Sequence, residues 1–350
     1  SIRRISPPFS SGRRGSSTAL CFSTRSGAQI DLIDTYVPHV EALRTRGATI
    51  TGGLDLSVPV SALTPDELTE TYDLVFLLCK QTGTRQALAQ LEGHLHENSI
   101  VCTLQNGIPE MLVAEIVGQE RTMGGIVLFG ATWEAPGVVR CTSGGDYMAT
   151  GMLTEVGECN GEVTPRLKAV QQFLSQAGRC DVTDKLLGTR WTKVLINATA
   201  SGMSAALGCD YGGVLDRENA MLALARIGDE CVRVAHGKGV KLTVVDGNDY
   251  EEREIRPGET VEDKLAYYHQ LWGTKHRALK ASMLQDLEKG RPCEIDFING
   301  QVCRAGRECG IATPYNDMVV ALVKLAQAHT QVWTPEEALP FFDILLENGV

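Results

Sequence analysis

The 350-residue chain is longer than one hydrophobic core usually fills, so two domains are expected. Its 43% hydrophobic and 22% charged residues lie near ordinary globular averages and exclude wholesale disorder. With 33 Lys and Arg against 43 Asp and Glu, the formal charge of -10 repels polyanions, and nucleic acid is not an expected partner.

Residues 1–30 carry Arg3, Arg4, Arg13, Arg14 and Arg25 and no acidic residue. Such a composition marks some organelle transit segments, which sets a mitochondrial location beside the default cytoplasmic one. The competing reading puts a first strand and a phosphate-binding turn here, with residues 1–25 atypical for that role. Arg4-Ile5-Ser6-Pro7-Pro8-Phe9 is expected to be a poor central strand, because each Pro removes a ladder donor.

An apolar stretch at 28–33 ends at Asp34 and leads into a helical pattern at 37–46. Strands follow at 73–78, 99–103 and 122–129, and helices at 84–95 and 110–117. This alternation predicts a parallel sheet covered on both faces, closed by antiparallel strands at 138–142 and 147–150. After about residue 160 the period becomes helical, at 165–176, 184–203, 219–238, 261–288 and 316–330, with a last helix after Pro335. The expectation is therefore an α/β chain: a Rossmann-like parallel-sheet domain over 1–160, then an all-helical domain over 161–350.

The longest apolar runs, 74–79 and 124–129, fall far short of the roughly 20 residues that span a bilayer, so no membrane partner is expected. The 11 cysteines are scattered, and Cys79, Cys102 and Cys231 sit inside apolar segments, which fits buried thiols in a reducing compartment. Cys303 and Cys309 lack a second pair or a nearby His, so no metal is implied.

An open parallel sheet binds ligands at the carboxyl ends of its strands, which draws attention to the segments after Ile33, Leu78 and Thr103. Lys80 follows the second of these. Leu104-Gln105-Asn106-Gly107 follows the third, with a carboxamide and a flexible Gly just before a helix. A dinucleotide fingerprint would fall in Ser10-Ser11-Gly12-Arg13-Arg14-Gly15, where only Gly12 and Gly15 remain of three glycines. Asp34 comes nineteen positions after Gly15, a spacing that suits an acid reaching a ribose hydroxyl.

On the long helix, Lys193 and Asn197 are four apart and share a face, with Ser201 one turn further. Ser282-Met283-Leu284-Gln285-Asp286 precedes a bend at Gly290 and Pro292, and Glu294-Ile295-Asp296-Phe297-Ile298-Asn299-Gly300 follows it. A carboxylate among apolar residues must be paired, ligand-facing or at a helix start, which applies to Glu294 and Asp296. Tyr267, Tyr268 and Trp272 are expected to pack their helix onto the core, and His269 and His276 to lie at the surface.

Together these blocks resemble the ketopantoate reductases, or 2-dehydropantoate 2-reductases, over roughly residues 26 to 333. The marks are residues 73–80, Leu104-Gln105-Asn106-Gly107, Trp191-Thr192-Lys193 with Asn197, and the two blocks around Ser282 and Glu294. The resemblance implies an NADPH-dependent oxidoreductase that reduces a small 2-oxo acid, with pantoate on the route of pantothenate biosynthesis as the usual product. It implies Lys193 as proton donor to the carbonyl oxygen and Glu294 as the acid beside it. It implies Asn197 and Ser282 as substrate-binding, and Lys80 and Asn106 near nicotinamide and substrate, with Gly12, Gly15 and Asp34 among the nucleotide contacts. A homodimer is expected on the same ground.

Asp34-Thr35 stands where the family commonly has an Arg for the extra phosphate of NADPH, which opens NADH as cofactor. Ser201 replaces a further Asn, and residues 245–273 form a longer insert. The alternatives are an NADH-dependent reductase of another small 2-oxo acid, or a catalytically impaired nucleotide-binding homologue.

Overall fold

The computed structural model describes residues 4–6, 29–253, 258–273 and 276–349. Gly12 and Gly15, with the rest of the expected phosphate-binding turn, lie outside the described residues. The chain divides into two compact units, Ser1–Leu187 and Gly188–Val350.

In the first unit the strands are β1 (Arg4–Ser6), β2 (Gln29–Ile33), β3 (Ala48–Gly52), β4 (Leu56–Val58), β5 (Ser61–Leu63), β6 (Tyr72–Leu77), β7 (Leu95–Thr103), β8 (Thr122–Val127), β9 (Ala131–Ala135), β10 (Val138–Cys141), β11 (Met152–Glu158) and β12 (Arg179–Val182). The main sheet runs β12-β11-β8-β7-β6-β1-β2-β5, and all its pairs are parallel except β11 with β8. Contrary to the expectation of a poor central strand, β1 is central, pairing with both β2 and β6. Its described residues, Arg4–Ser6, include no proline, so none of these rungs lacks a donor on that account.

Helices α1 (Val37–Arg46), α2 (Thr84–Gln90), α3 (Glu110–Val117), α4 (Gly145–Thr150) and α5 (Pro165–Leu174) belong to this unit. Two apolar clusters sort the alternating side chains of β6. Leu74 and Phe76 join Val40 and Leu43 of α1 and Leu167, Val170 and Phe173 of α5. Val75 and Leu77 join Ala87 and Leu88 of α2 and Val113 and Val117 of α3. Burial on both faces explains the unbroken apolar runs from which these strands were read, each such side chain stabilising by about 1.5–3 kcal/mol.

Three expectations change here. Residues 147–150 lie in a short helix, α4, rather than a strand, and β11 supplies the antiparallel partner of β8. β10 leaves the main sheet for a second one, ordered β4-β3-β10-β9. The boundary expected near 160 falls between β11 and α5, inside the first unit, because β12 adds to the sheet edge beyond β11.

The second unit carries α6 (Leu186–Ile196), which enters it from Gly188 onward, a π-turn (Asn197–Ser201), α7 (Gly202–Leu207), α8 (Tyr211–Leu215), α9 (Glu218–Gly237), α10 (Val261–Gly273), α11 (Ser282–Glu288), α12 (Asn299–Cys309), α13 (Pro314–His329) and α14 (Pro335–Glu347). The 20-residue α9 is central, touching α8, α10, α12, α13, α14 and the π-turn, and is buried around most of its circumference. Tyr268 is fully buried and Trp272 is buried, with the Tyr268 hydroxyl so close to Gly228 of α9 that no Cβ would fit there. The single helix expected over 261–288 is divided, because the carbonyls of Arg277 and Leu279 accept hydrogen bonds from Gly212 and Tyr211 at the start of α8.

Candidate active site

In the first unit, the carboxyl ends of the parallel strands gather Asp34 after β2, Lys80 after β6 and Asn106 after β7. Asp34 is buried, and its carboxylate accepts a hydrogen bond from the Tyr36 amide at 2.8 Å, turning the chain into α1. Lys80 and Asn106 are half-buried. The Gln81 side chain donates to the Asn106 carbonyl at 2.5 Å and so ties the two loops together.

The residue that holds this edge is Gln105, which sequence reasoning quoted within a motif without giving it a role. Its Nε2 donates to the Cys79 carbonyl at 2.8 Å and to the Thr84 hydroxyl at 2.9 Å, and its Oε1 accepts from Thr103 at 2.9 Å. A buried amide with both donors and its oxygen engaged is a rigid cross-brace. The next residues are Asn106 and Gly107, and Gly107 has a φ of 77°, a left-handed value that glycine adopts without strain. The signal in the sequence was a carboxamide directly after an apolar strand, where a polar side chain must find partners.

In the second unit, α6, the π-turn and α7 form one helical run. Lys193 is half-buried in the last turn of α6, Asn197 opens the π-turn and Ser201 closes it, both also half-buried. A π-turn is uncommon and recurs at functional sites, since its extra residue shifts the face a helix presents. The Ser201 hydroxyl pairs with the Tyr211 hydroxyl at 2.7 Å, and the Tyr211 ring meets Trp272 edge-on at 5.6 Å.

Ser282 begins α11, which packs on α7 and on the π-turn. Its entry is pinned by the Ala281 amide donating to the Ser204 hydroxyl at 3.4 Å. Glu294 is 5% exposed and stands at the N-cap position of a 3-10 turn (Ile295–Phe297), its side chain making no capping hydrogen bond to that turn. Asp296 turns outward to Lys324 at 2.7 Å. The two acids thus take two of the expected fates, helix start and ion pair. The segment carrying Glu294 is linked to the π-turn by Asn299, whose Nδ2 donates to the Ala198 carbonyl at 3.0 Å.

Among the described residues every cysteine is a free thiol, no cluster of His, Cys, Asp and Glu forms a metal site, and no helix is long and apolar enough to cross a membrane.

Two family descriptions match the chain in succession, "Ketopantoate reductase PanE/ApbA" at residues 11–154 and "Ketopantoate reductase PanE/ApbA C terminal" at residues 185–327. The 2-dehydropantoate 2-reductase of Streptococcus pyogenes serotype M3 is 25% identical over 308 residues, covering 87% of this chain and 92% of that one. A solved 2-dehydropantoate 2-reductase from Geobacter metallireducens GS-15 superposes with a TM-score of 0.77 at 26% identity, over 92% of this chain and 99% of that one. A D-mandelate dehydrogenase solved with NADH and anilino(oxo)acetate shares the fold, with a TM-score of 0.79 at 23% identity over 94% and 99% of the two chains. The first match takes in Gly12, Gly15, Asp34, Lys80 and Asn106, and the second Lys193, Asn197, Ser282 and Glu294. With both halves matched in order, the chain belongs to the ketopantoate reductase family.

Proposed function

We propose that the chain is an NAD(P)H-dependent reductase of a small 2-oxo acid, with 2-dehydropantoate as the first substrate to test. The observation that carries this is the half-buried Lys193 set one turn before Asn197 at a π-turn, in the unit that also buries Glu294 at the start of a short turn.

The first unit fits a dinucleotide in its fold and in the residues after its strands. β1 is central and parallel, Asp34 follows β2, and the Gln105-braced loops present Lys80 and Asn106. Asp34 would meet the ribose, and Lys80 and Asn106 would face the nicotinamide end. Gly12 and Gly15 are the proposed pyrophosphate contacts. The bound dihydronicotinamide supplies the hydride.

Reduction of a ketone leaves negative charge on its oxygen. The Lys193 ammonium stabilises that charge and delivers its proton there, ending as a neutral amine that solvent reprotonates. The Glu294 carboxylate favours the charged form of Lys193 and accepts a substrate hydroxyl. Asn197 and Ser282 hold the polar groups of the acid so that the carbonyl is presented to the donor in one orientation.

An NADH-dependent enzyme for another 2-oxo acid is the second reading, favoured by one observation. Asp34 directly follows β2, and as the proposed ribose contact its carboxylate would repel a 2′-phosphate. Steady-state reduction of 2-dehydropantoate and of a panel of linear, branched and aromatic 2-oxo acids, with NADPH and with NADH, separates the readings. Nucleotide oxidation by the parent that disappears in Lys193→Ala while nucleotide binding persists supports the reductase. No turnover of any acid with either nucleotide leaves the impaired homologue as the better description.

A further inference from the structure

A buried polar chain runs through the second unit to the back of the π-turn. Glu230, on α9, is 1% exposed and accepts three hydrogen bonds: from the Tyr315 amide at 2.9 Å, the Asn316 amide at 2.9 Å and the Asn316 side chain at 2.7 Å. Its carboxyl sits at the first turn of α13, where burial pushes its pKa up to about 7 while the amides of Tyr315 and Asn316 work in the opposite sense, toward the anion. Because the Asn316 amide group faces Glu230, its Oδ1 faces the other way and accepts from Asn299 Nδ2 at 3.0 Å. The second hydrogen of that same Nδ2 goes to the Ala198 carbonyl. Asn299 and Asn316 are both fully buried.

Every amide orientation in this chain is therefore set by the one before it, from the carboxylate of Glu230 to a carbonyl inside the π-turn. The fit is also tight. A Cβ at Gly202, the residue just past the π-turn, would come within 2.9 Å of Asn299 Oδ1 and 3.0 Å of its Nδ2, so only glycine admits the carboxamide there. Asn299 is the first residue of α12, five positions after Glu294, and Ala198 is next to Asn197. One side chain thus fastens the segment carrying the proposed acid to the segment carrying the proposed substrate and proton-donor residues.

We propose that Asn299 is a positioning residue for the reductase site. Oriented by Glu230 through Asn316, it fixes the π-turn and so sets Lys193 and Asn197 relative to the turn that carries Glu294. This rests on the reductase reading given above. It does not touch the reacting atoms. The network is worth more than cohesion, because a misplacement of about 1 Å in such a constellation costs roughly 10²-fold in rate, whereas an apolar replacement of similar volume preserves much of the packing.

The test is Asn299→Leu, which keeps the branched heavy-atom skeleton, adds some bulk and deletes both donors, with Glu230→Gln as a milder variant that disturbs the same chain from its far end without a change of size. The expected result for Asn299→Leu is a fall in kcat of roughly 10²-fold with KM for the nucleotide unchanged, and for Glu230→Gln a smaller fall in the same direction. A crystal structure of each variant is expected to show Asn197 and Lys193 displaced from their wild-type positions relative to Glu294 by more than about 0.5 Å. A variant that folds and keeps the wild-type kcat overturns the proposal. So does one whose activity falls only as its folded fraction falls. If Asn299→Leu does not fold, Glu230→Gln decides on the same criteria. If the wild-type protein reduces no 2-oxo acid, the reductase reading fails separately. The variant structures then still decide the anchoring, and an undisplaced π-turn overturns it.

Discussion

The Gln105 side chain bridges the Cys79 carbonyl and the Thr84 hydroxyl, joining the ends of two neighbouring parallel strands through one buried amide. Replacing it with Leu leaves a buried carbonyl and two buried hydroxyls without that partner. The expected cost is about 2–3 kcal/mol of stability, since unsatisfied buried groups carry their full desolvation penalty. Urea unfolding of Gln105→Leu reads the stability. Because Asn106 and Gly107 follow directly, KM for the nucleotide should rise as well, and a stability loss with an unchanged nucleotide KM would separate the brace from the binding edge.

Lys193→Ala should lower kcat by roughly 10²–10⁴-fold, the usual worth of a positioned proton donor. Nucleotide affinity, read by quenching of nucleotide fluorescence, should not change, because the lysine belongs to the unit proposed to hold the acid. Glu294→Gln keeps the shape and removes the charge. It should raise KM for the acid, because the group proposed to accept a substrate hydroxyl loses its charge and with it a charge-assisted hydrogen bond. An unchanged KM would remove Glu294 from that role.

The strands around Lys80 and Asn106 were legible because a strand buried on both faces has to be apolar throughout, as Tyr72–Leu77 is but for Asp73. The helix that carries Lys193 and Asn197 was legible from its apolar period, and their spacing of four put them on one face, while the roles proposed for them come from the family resemblance and not from the spacing. The π-turn beneath them was not, since nothing in Asn-Ala-Thr-Ala-Ser distinguishes a π-turn from an α-turn; it is the Asn299 contact, a hundred residues away in sequence, that meets it. Residues 147–150 read as a strand because a six-residue element has too few turns to declare its period. The structure makes it helical, with the Tyr147 ring packed where only Gly151 leaves room. β1 was misjudged because the proline argument was applied to the whole block from Arg4 to Phe9, whereas the residues that pair, Arg4–Ser6, contain no proline.

Asp34→Asn should move nucleotide preference toward NADPH. Asparagine can still accept the Tyr36 amide hydrogen bond, so the turn into α1 survives, while the negative charge opposing a 2′-phosphate is gone. The ratio of kcat/KM for NADPH over NADH is expected to rise on the order of tenfold, about 1.4 kcal/mol. A ratio that does not move would show that Asp34 serves only the turn.

His39 predicts an acid-sensitive fold. It is buried on α1, and its Nδ1 accepts a hydrogen bond from the Gly137 amide at 2.9 Å, so the ring is neutral with its proton on Nε2. Burial pushes its pKa down to about 4 from an ordinary 6.5. The unfolded chain therefore takes up a proton, as pH falls below 6.5, that the folded chain refuses until pH 4. The stability this group supplies is complete above pH 6.5 and is lost progressively as pH falls toward 4, by about 3 kcal/mol in total. In His39→Asn the amide oxygen takes over the Gly137 contact and cannot titrate. Urea midpoints measured from pH 7.5 down to 4 should fall more steeply in the wild-type protein than in this variant, where only the remaining titrating groups act. Parallel curves would mean that the imidazole is already solvated in the native fold, and that α1 is held against the β9–β10 turn by packing alone.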